Sequence, residues 1–291
     1  MQPDPEDRYT DAEQRSSSGG LSTTVIAVGV LVIVGIIGWV VFSGDPEPPP
    51  PAPEPPPVVA PEPEPQPELP PAPDIPEPEP VVAAEPNEPP APVVPPPTLE
   101  TSDEELRERL ADVSDSSLLE SALVNDNLIE RGTALVDSFS RGVMMPKLLP
   151  LPAPKGSFAV TETDGVVTID PASYERYNDH AATIEELDTD TLVESFHRFR
   201  PLLEQTYASL GYEAEDFDNA LIRALDRVLD TPEIDAPIPV VKHEAIYRFA
   251  DPDLEQRPGV QKQLLRMGPE NIARIKRQAE ALRTALLQEP G

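Results

Sequence analysis

A long uncharged segment near the amino terminus constrains this chain more than any other feature. Residues 21–42 carry no charged side chain, and the last eighteen of them, residues 25–42, have no polar side chain. A hydrocarbon core of about 30 Å needs about 20 helical residues to cross it. Thirteen of the eighteen are Val, Ile, Leu or Phe, which corresponds to an insertion free energy of roughly −4 to −8 kcal/mol. We therefore predict a transmembrane helix over residues 21–42.

Positive charges flank this helix on one side only. Arg8 and Arg15 precede it, and no Lys or Arg follows until Arg107. Because positive charges favour the cytoplasmic side, we expect residues 1–20 to form a disordered cytoplasmic tail at a bacterial inner membrane. The rest of the chain is then exported to the periplasm. A cleaved signal peptide is the alternative, but the apolar run exceeds the usual signal core of about 7–15 residues, which favours an uncleaved signal anchor.

A proline-rich acidic tract, residues 43–98, follows the helix. From Asp45 to Thr98, 26 of 54 residues are proline and 11 are Asp or Glu, with no Lys or Arg. Proline removes the backbone donors that helices and sheets need, and so favours polyproline II. We predict a disordered linker that reaches roughly 150–170 Å when fully extended. Such a linker either carries the domain across a periplasm-like gap or keeps it away from its own bilayer.

The remaining residues, 99–291, are long enough to form one folded domain with a core. They carry 20 Lys and Arg against 37 Asp and Glu, a net charge of 20 − 37 = −17. This balance excludes DNA and RNA as expected partners, because their phosphates demand positive charge. The chain has no cysteine, so it has no disulfide, thiolate nucleophile or cysteine-based zinc site.

Apolar residues at three- and four-residue spacing predict helices through most of this domain. The clearest stripe runs from Leu192 to Leu210, with Asp188 or Asp190 as N-cap and Gly211 at its end. Further helices are predicted at residues 217–228 and 272–286, at 102–111 from a Ser102–Glu105 capping box, at 118–139 as one or two helices, and at 171–184.

Strand signals are limited to two regions. Residues 158–169 contain Thr163-Asp164-Gly165 between apolar runs, which is typical of a β-hairpin. Residues 238–241 and 247–250 are two further short strand candidates. The expected fold class is therefore mostly α, with a small β-hairpin and short strands, behind a single-pass membrane helix and a disordered linker.

Several ordered motifs in the domain resemble a known family. They are Asp170-Pro171, Arg176-Tyr177, Pro201-Leu202, Leu210-Gly211-Tyr212, Phe249-Ala250-Asp251-Pro252, Leu254-Glu255, Gln261-Lys262 and Leu265-Arg266-Met267-Gly268-Pro269. Together they resemble the proteobacterial membrane-protein family catalogued as domain of unknown function 3014, over about residues 98–287. The resemblance implies a membrane helix, a proline-rich spacer and this domain. It implies no activity.

Metal-binding patterns are weak. His180, His197 and His243 are separated by 17 and 46 residues, so no two have the i, i+4 spacing that places two ligands on one helix face. Asp188-Thr189-Asp190 begins like a calcium loop, but Val193 stands where the loop needs Gly and Phe199 where it needs Glu. We predict neither a metal nor another cofactor.

Acidic and basic clusters each allow two interpretations. Glu215, Asp216 and Asp218 could provide the carboxylates of a glycan hydrolase, or they could be first-turn acids that favour a helix N-terminus. Residues 257–283 carry seven Lys or Arg against Glu270 and Glu280. That segment is either a binding site for an anionic partner or an ordinary solvated helix. The spread of its charges around a helical wheel favours the second interpretation.

A candidate interaction surface is predicted where the motifs are densest. It comprises Tyr174, Arg176, Tyr177, Asp251, Gln261, Lys262 and Arg266. Helix boundaries are the alternative explanation of these motifs, with Asp251 as an N-cap and Gly268-Pro269 as the end of one helix and the start of the next.

No catalytic, phosphate-binding or dinucleotide motif occurs. The leading hypothesis is therefore a single-pass inner-membrane protein that displays a non-catalytic periplasmic interaction domain to an envelope protein partner. The alternative is an envelope hydrolase that acts on peptidoglycan through Asp or Glu residues. A ligand sensor that signals through the helix ranks last, because the cytoplasmic side holds no domain to receive a signal.

Overall fold

A computed structural model describes residues 72–77, 96–110, 116–145, 152–244 and 246–288. The predicted transmembrane helix at residues 21–42 and most of the proline-rich tract lie outside these residues. Within the described part of the chain, no helix combines the length and the apolar character that a bilayer span requires.

The described part is mostly helical, as predicted. Its helices are α1 (Leu99–Leu110), α2 (Ser117–Leu123), α3 (Leu128–Ser140), α4 (Pro171–Glu175), α5 (Asn178–Glu185), α6 (Thr189–Ser209), α7 (Asp216–Leu229), α8 (Pro252–Glu255), α9 (Gly259–Met267) and α10 (Pro269–Leu286). Its strands are β1 (Val160–Thr163), β2 (Val166–Ile169), β3 (Val240–His243) and β4 (Ile246–Phe249).

Aspartate side chains define three of the helix starts. Asp188, Asp170 and Asp251 each hold an extended backbone conformation and accept a hydrogen bond from an amide in the first turn of α6, α4 and α8 respectively. Such caps satisfy amides that have no partner within the helix. The Asp251 cap and the Gly268-Pro269 junction between α9 and α10 confirm the helix-boundary interpretation of these motifs.

Two helix boundaries differ from the sequence prediction, and one strand pairing goes beyond it. Helix α1 begins at Leu99, so Ser102 is not its cap, and its hydroxyl instead donates to the Leu99 carbonyl at 3.0 Å. The helix predicted over residues 171–184 is interrupted between α4 and α5. The two isolated strand candidates pair with each other as a second antiparallel hairpin, β3–β4.

Helix α7 lies at the centre of the core. It packs on α3, α6, α9 and α10, and α10 also packs on α5 and α6. The inner face of α7 buries Phe217, Leu221, Ile222, Leu225 and Val228 almost completely. Because each buried aliphatic or aromatic side chain contributes about 1.5–3 kcal/mol, these packed faces supply the main driving force of the fold.

The two hairpins lie side by side. Each forms its own two-stranded sheet. An antiparallel bridge between Thr168 and Pro239 links the two sheets. The Ile169 amide also donates a hydrogen bond to the Ile238 carbonyl at 3.1 Å. Since β2 and β3 are antiparallel, the turns of both hairpins lie at the same end. The first turn uses Asp164 and Gly165 at positive φ, as an Asp-Gly hairpin requires.

A short segment of the proline-rich tract packs against the domain. Ile75 is 3% exposed and belongs to the core, and the Ala72 amide donates to Asn219 Oδ1 at 3.1 Å. The expectation of an extended, disordered linker from 43 to 98 therefore does not describe residues 72–77. The reason is local: Ile75 is an aliphatic side chain that gains free energy by leaving water.

The junction between α9 and α10 gives a stability prediction. Gly268 has φ +85°, and a Cβ there would meet the ring of Tyr174. We expect Gly268→Ala to lower the free energy of unfolding by roughly 2–4 kcal/mol, because backbone strain and a steric clash add. Urea denaturation of the full-length chain, followed by circular dichroism, measures this.

Gly211→Ala is the matched control. Gly211 also has positive φ, +98°, but nothing lies within 4 Å of the site of its Cβ. Its substitution should cost only about 1 kcal/mol, from strain alone. Equal losses in the two variants would contradict the close approach of Tyr174.

Candidate functional site

The seven residues of the predicted interaction surface do not share one exposed face. Asp251 is exposed, and Tyr174, Arg176, Lys262 and Arg266 are half-buried. The other two residues, Tyr177 at 2% exposure and Gln261 at 3%, lie in the interior. A partner that meets the folded domain therefore cannot reach these two side chains.

Two members of the set, Asp251 and Lys262, contact neighbouring structure around Glu255. The Glu255 carboxylate accepts a hydrogen bond from the Phe249 amide at 3.0 Å, and the Lys262 ammonium lies 3.3 Å from its other oxygen. Asp251 accepts the backbone bond that starts the same short helix, α8. Although burial opposes ionisation of Glu255, the Phe249 amide and Lys262 outweigh it and lower its pKa.

Arg266 on α9 contacts the second hairpin, β3–β4. Its guanidinium donates to the Tyr247 carbonyl at 3.2 Å and stands 4.6 Å from the centroid of the Phe249 ring. Burial lowers the pKa of Arg266, and Glu255 and Tyr177 oppose that shift. A cation over an aromatic face is stabilising when desolvated, so this arginine is explained by structure.

The interior members face two different neighbours. Burial raises the pKa of Tyr177 to about 12, and the amide of Gln263 donates to the Tyr177 hydroxyl at 3.5 Å. Gln261 instead donates to the Arg227 carbonyl at 3.2 Å, which joins α9 to the end of α7. Tyr177 and Gln261 thus lie in a packed junction between helices, and an interaction role for the predicted surface stays a prediction.

Among the residues that the structure describes, Asp218 is a carboxyl group with a strongly shifted pKa. It is 3% exposed, and its Oδ2 lies 2.5 Å from a guanidinium nitrogen of Arg200 on α6. Burial raises the pKa of Asp218 to about 6, because it outweighs the attraction of Arg200 and is reinforced by Glu204 and by Asp74 of the docked segment. The backbone amide of Ile75 acts in the opposite direction.

Glu215, Asp216 and Asp218, the acids considered for a hydrolase, do not face one another as a catalytic pair would. Glu215 and Asp216 are exposed to solvent, whereas Asp218 points into the interior. The part of the chain that the structure describes contains no group of three or more His, Asp or Glu side chains arranged to hold a metal ion. His180 is buried and its Nε2 lies 3.1 Å from the Pro152 carbonyl, and His197 packs edge-on against Phe196.

The basic stretch at 257–283 is used within the domain. Arg274 and Arg277 both pair with Glu185 of α5, at 3.7 and 2.5 Å. The other ion pairs of this stretch are Lys276 with Glu233, Arg283 with Asp226 and Lys262 with Glu255. Five of the seven cations in this stretch therefore have a carboxylate partner within the domain.

An exposed aliphatic face lies on the hairpins instead. Val241 pairs with Arg248 and His243 with Ile246, so these four side chains point the same way, since directly paired residues share a face. The Thr168–Pro239 bridge continues that face onto β2, where it includes Val166. The three aliphatic members are half exposed, Val166 at 49%, Val241 at 51% and Ile246 at 50%.

This outer hairpin face, composed of Val166, Val241, His243, Ile246 and Arg248, was missed by the sequence analysis. The strand candidates at 238–241 and 247–250 were identified, but strand period alone does not say which side of a strand is covered. Only the pairing of the two hairpins shows that Val240 and Phe249 turn inward while Val241 and Ile246 turn outward.

Comparison with models of protein families identifies the family of this chain. Residues 128–283, more than half of the chain, match the family described as protein of unknown function (DUF3014). The chain belongs to the DUF3014 family. This confirms the resemblance read from the motifs. No curated protein and no solved structure matches the chain.

The DUF3014 match covers the domain from the first residue of α3 into the last turn of α10. It therefore includes α7, both hairpins and the Glu255–Lys262–Arg266 contacts. Helices α1 and α2 and the docked residues 72–77 lie outside the matched range.

Arg266→Ala tests whether this arginine is structural. The substitution removes the bonds to two carbonyls and the contact with Phe249, so we expect a loss of about 2 kcal/mol in the free energy of unfolding. The control is Arg248→Ala, at an exposed position of the β3–β4 hairpin that Arg266 contacts. It should change the free energy of unfolding by less than about 0.5 kcal/mol. Chemical denaturation of both variants decides; an unaffected Arg266→Ala chain would contradict the structural role.

Asp218→Asn tests the buried carboxylate through pH. A pKa raised from 3.8 to about 6 means that the folded protein binds this proton more tightly than the unfolded chain. The wild type should therefore lose up to about 3 kcal/mol of stability from this group as pH rises from about 4 to above 6. The variant should lack that part of the slope.

Glu215→Gln, an exposed acid beside α7, is the control for this titration and should keep the wild-type slope. Denaturation midpoints measured between pH 4 and 7.5 give the comparison. Parallel curves for wild type and Asp218→Asn would show that the carboxyl titrates normally and is not buried.

Proposed function

We propose that this chain is a single-pass inner-membrane protein that displays a non-catalytic interaction domain in the periplasm. The uncharged segment at residues 21–42 supports the anchor, and Arg8 and Arg15 support the orientation. The proline-rich tract supports a domain held away from its membrane. The partner we propose is another protein of the cell envelope.

The observation that carries the interaction role is the outer hairpin face. It presents three half-exposed aliphatic side chains next to one another on paired strands. Apolar side chains gathered on one exposed face, rather than scattered singly, are the kind of surface that a protein partner covers. By contrast, the polar residues first suspected of binding are engaged in contacts within the domain.

The charge of the domain indicates the chemistry of its partner. Residues 99–291 have a net charge of 20 − 37 = −17, so encounter is favoured with a positively charged surface and disfavoured with an acidic one. We propose a partner whose binding surface has an apolar centre and a basic rim.

Photo-crosslinking in cells tests this proposal. A probe at Val241 should capture one recurring envelope protein, whereas a probe at Glu280, exposed on α10, should not. Replacing Val166, Val241 and Ile246 together by Ser should abolish capture by a probe at His243 without unfolding the domain, because these side chains lie outside the core. Identical adducts from the Val241 and Glu280 probes would refute the hairpin face as the binding surface.

An envelope hydrolase stays the alternative because of one observation. The raised pKa of Asp218, about 6, suits a general acid. This carboxyl is nevertheless buried and paired with Arg200. Incubation of the purified chain with peptidoglycan sacculi separates the two functions: release of soluble fragments that Asp218→Asn abolishes would favour the hydrolase, and intact sacculi favour the interaction domain.

A further inference from the structure

Residues 72–77 occupy a defined place on the domain. This docked segment, Ala72-Pro73-Asp74-Ile75-Pro76-Glu77, is followed by about 20 further residues of the tract before α1 begins. Its central side chain, Ile75, is 3% exposed, while Pro73 and Asp74 on one side and Glu77 on the other are exposed. Ile75 thus enters the core, Ala72 packs partly against it, Pro76 is partly exposed, and the other three residues stay in water.

Polar contacts fix the segment at the first turn of α7. The Ala72 amide donates to Asn219 Oδ1 at 3.1 Å, across 147 positions of sequence. The amide of Ile75 and the side chain of Asp74 both act on the neighbouring Asp218 carboxylate, the first favouring and the second opposing its charge. Arg200 on α6, 2.5 Å from Asp218, supplies the positive charge at this place.

We propose that residues 72–77 are an intramolecular ligand of the domain, docked through Ile75 beside Asp218 and Asn219, and that this docking shortens the tether. The site accepts an extended peptide with one aliphatic side chain between prolines. Its occupant is the chain's own segment, in cis. Docking and release therefore give the chain a short and a long form.

The change in reach follows from where the segment lies. Undocked, the tract from the end of the predicted anchor to α1 reaches roughly 170 Å in the polyproline II conformation. Docked, only the part before Ala72 separates anchor from domain, and it reaches roughly 90 Å. This consequence, unlike the docking itself, rests on the proposed function, since it requires the anchor at residues 21–42.

The contacts are few enough to be reversible. One buried aliphatic side chain and two backbone amides give a weak site for a free peptide. The segment, however, is joined to the domain by about 20 residues, and a linker of that length gives an effective concentration on the order of millimolar. A tethered weak ligand of this kind stays bound until a competitor or a pull on the tether removes it.

Thiol accessibility tests the docking in the full-length chain. The chain has no cysteine, so an introduced thiol is the only one that reacts. In Ile75→Cys the thiol should be alkylated about 10-fold or more slowly than in Pro73→Cys, the exposed control two residues away, because only the first is protected until the segment opens. Equal rates would overturn the proposal.

A second substitution tests the site on α7. Adding Asn219→Ala removes the acceptor of the Ala72 amide and should raise the alkylation rate of Ile75→Cys toward that of Pro73→Cys, with an unchanged far-ultraviolet spectrum. Protection that persists would overturn the assigned site. Protection that disappears on dilution would show that a second copy fills it, and would overturn docking in cis.

Peptide binding checks the proposal without a cysteine at position 75. A labelled peptide of residues 70–79 should bind full-length Ile75→Asp, whose site is vacated, and bind the wild type about 10-fold or more weakly, because the wild-type segment competes. A control peptide carrying the same Ile75→Asp change should bind neither. Equal binding of the first peptide to both chains would overturn the proposal.

None of these three tests involves the outer hairpin face. Failure of docking therefore leaves the proposed partner contact standing, and failure of partner capture leaves docking standing.

Discussion

The burial of α7 is the interaction on which the rest of this domain depends. Its apolar face contacts four helices, α3, α6, α9 and α10, and its first turn holds Asp218 and Asn219, which receive the docked segment. Its last turns offer the Arg227 carbonyl to Gln261 and the Asp226 carboxylate to Arg283. One helix therefore organises the core, positions the site of residues 72–77 and attaches the carboxyl-terminal helices. Loss of its packing would remove all three at once.

Charge is used differently inside and outside this framework. The acidic excess of the domain is carried on its surface, while buried or half-buried arginines tie elements together. Arg266 holds the second hairpin against α9, and Arg200 bridges α6 to the start of α7. Buried charges without partners are costly, which explains why these residues have neighbours of opposite charge or aromatic faces. The basic stretch at 257–283 also has partners within the domain: Glu185, Glu233, Asp226 and Glu255 pair with five of its seven cations.

Two features connect this framework to a role outside the domain. The outer hairpin face places aliphatic side chains in water where a partner would cover them, and the docked segment shows that the proline-rich tract also binds the domain. If the proposed function holds, a tether that binds its own domain differs physically from a passive spacer, because its length would depend on an equilibrium that other molecules can shift. The range that matches the DUF3014 family includes the hairpins and α7 but not residues 72–77. The outer hairpin face therefore lies within the family domain, and the docked segment lies outside it.

By itself the sequence determined the helical character of the domain, the first hairpin, the Asp cap at 251, Asp188 as one of two candidate caps, and the family, because periodicity, turn residues and ordered motifs are local signals. It also identified the uncharged segment at 21–42 and the proline-rich tract, whose predicted roles rest on composition. Tertiary structure decided what local signals do not contain: that Tyr177 and Gln261 are interior, that residues 238–241 and 247–250 pair with each other, and that Ile75 leaves its tract to join the core. The interior positions of Tyr177 and Gln261 and the burial of Ile75 depend on residues far apart in the chain meeting in space. The two short strands are neighbours in the chain, but which of their side chains are exposed is set by the elements that cover them.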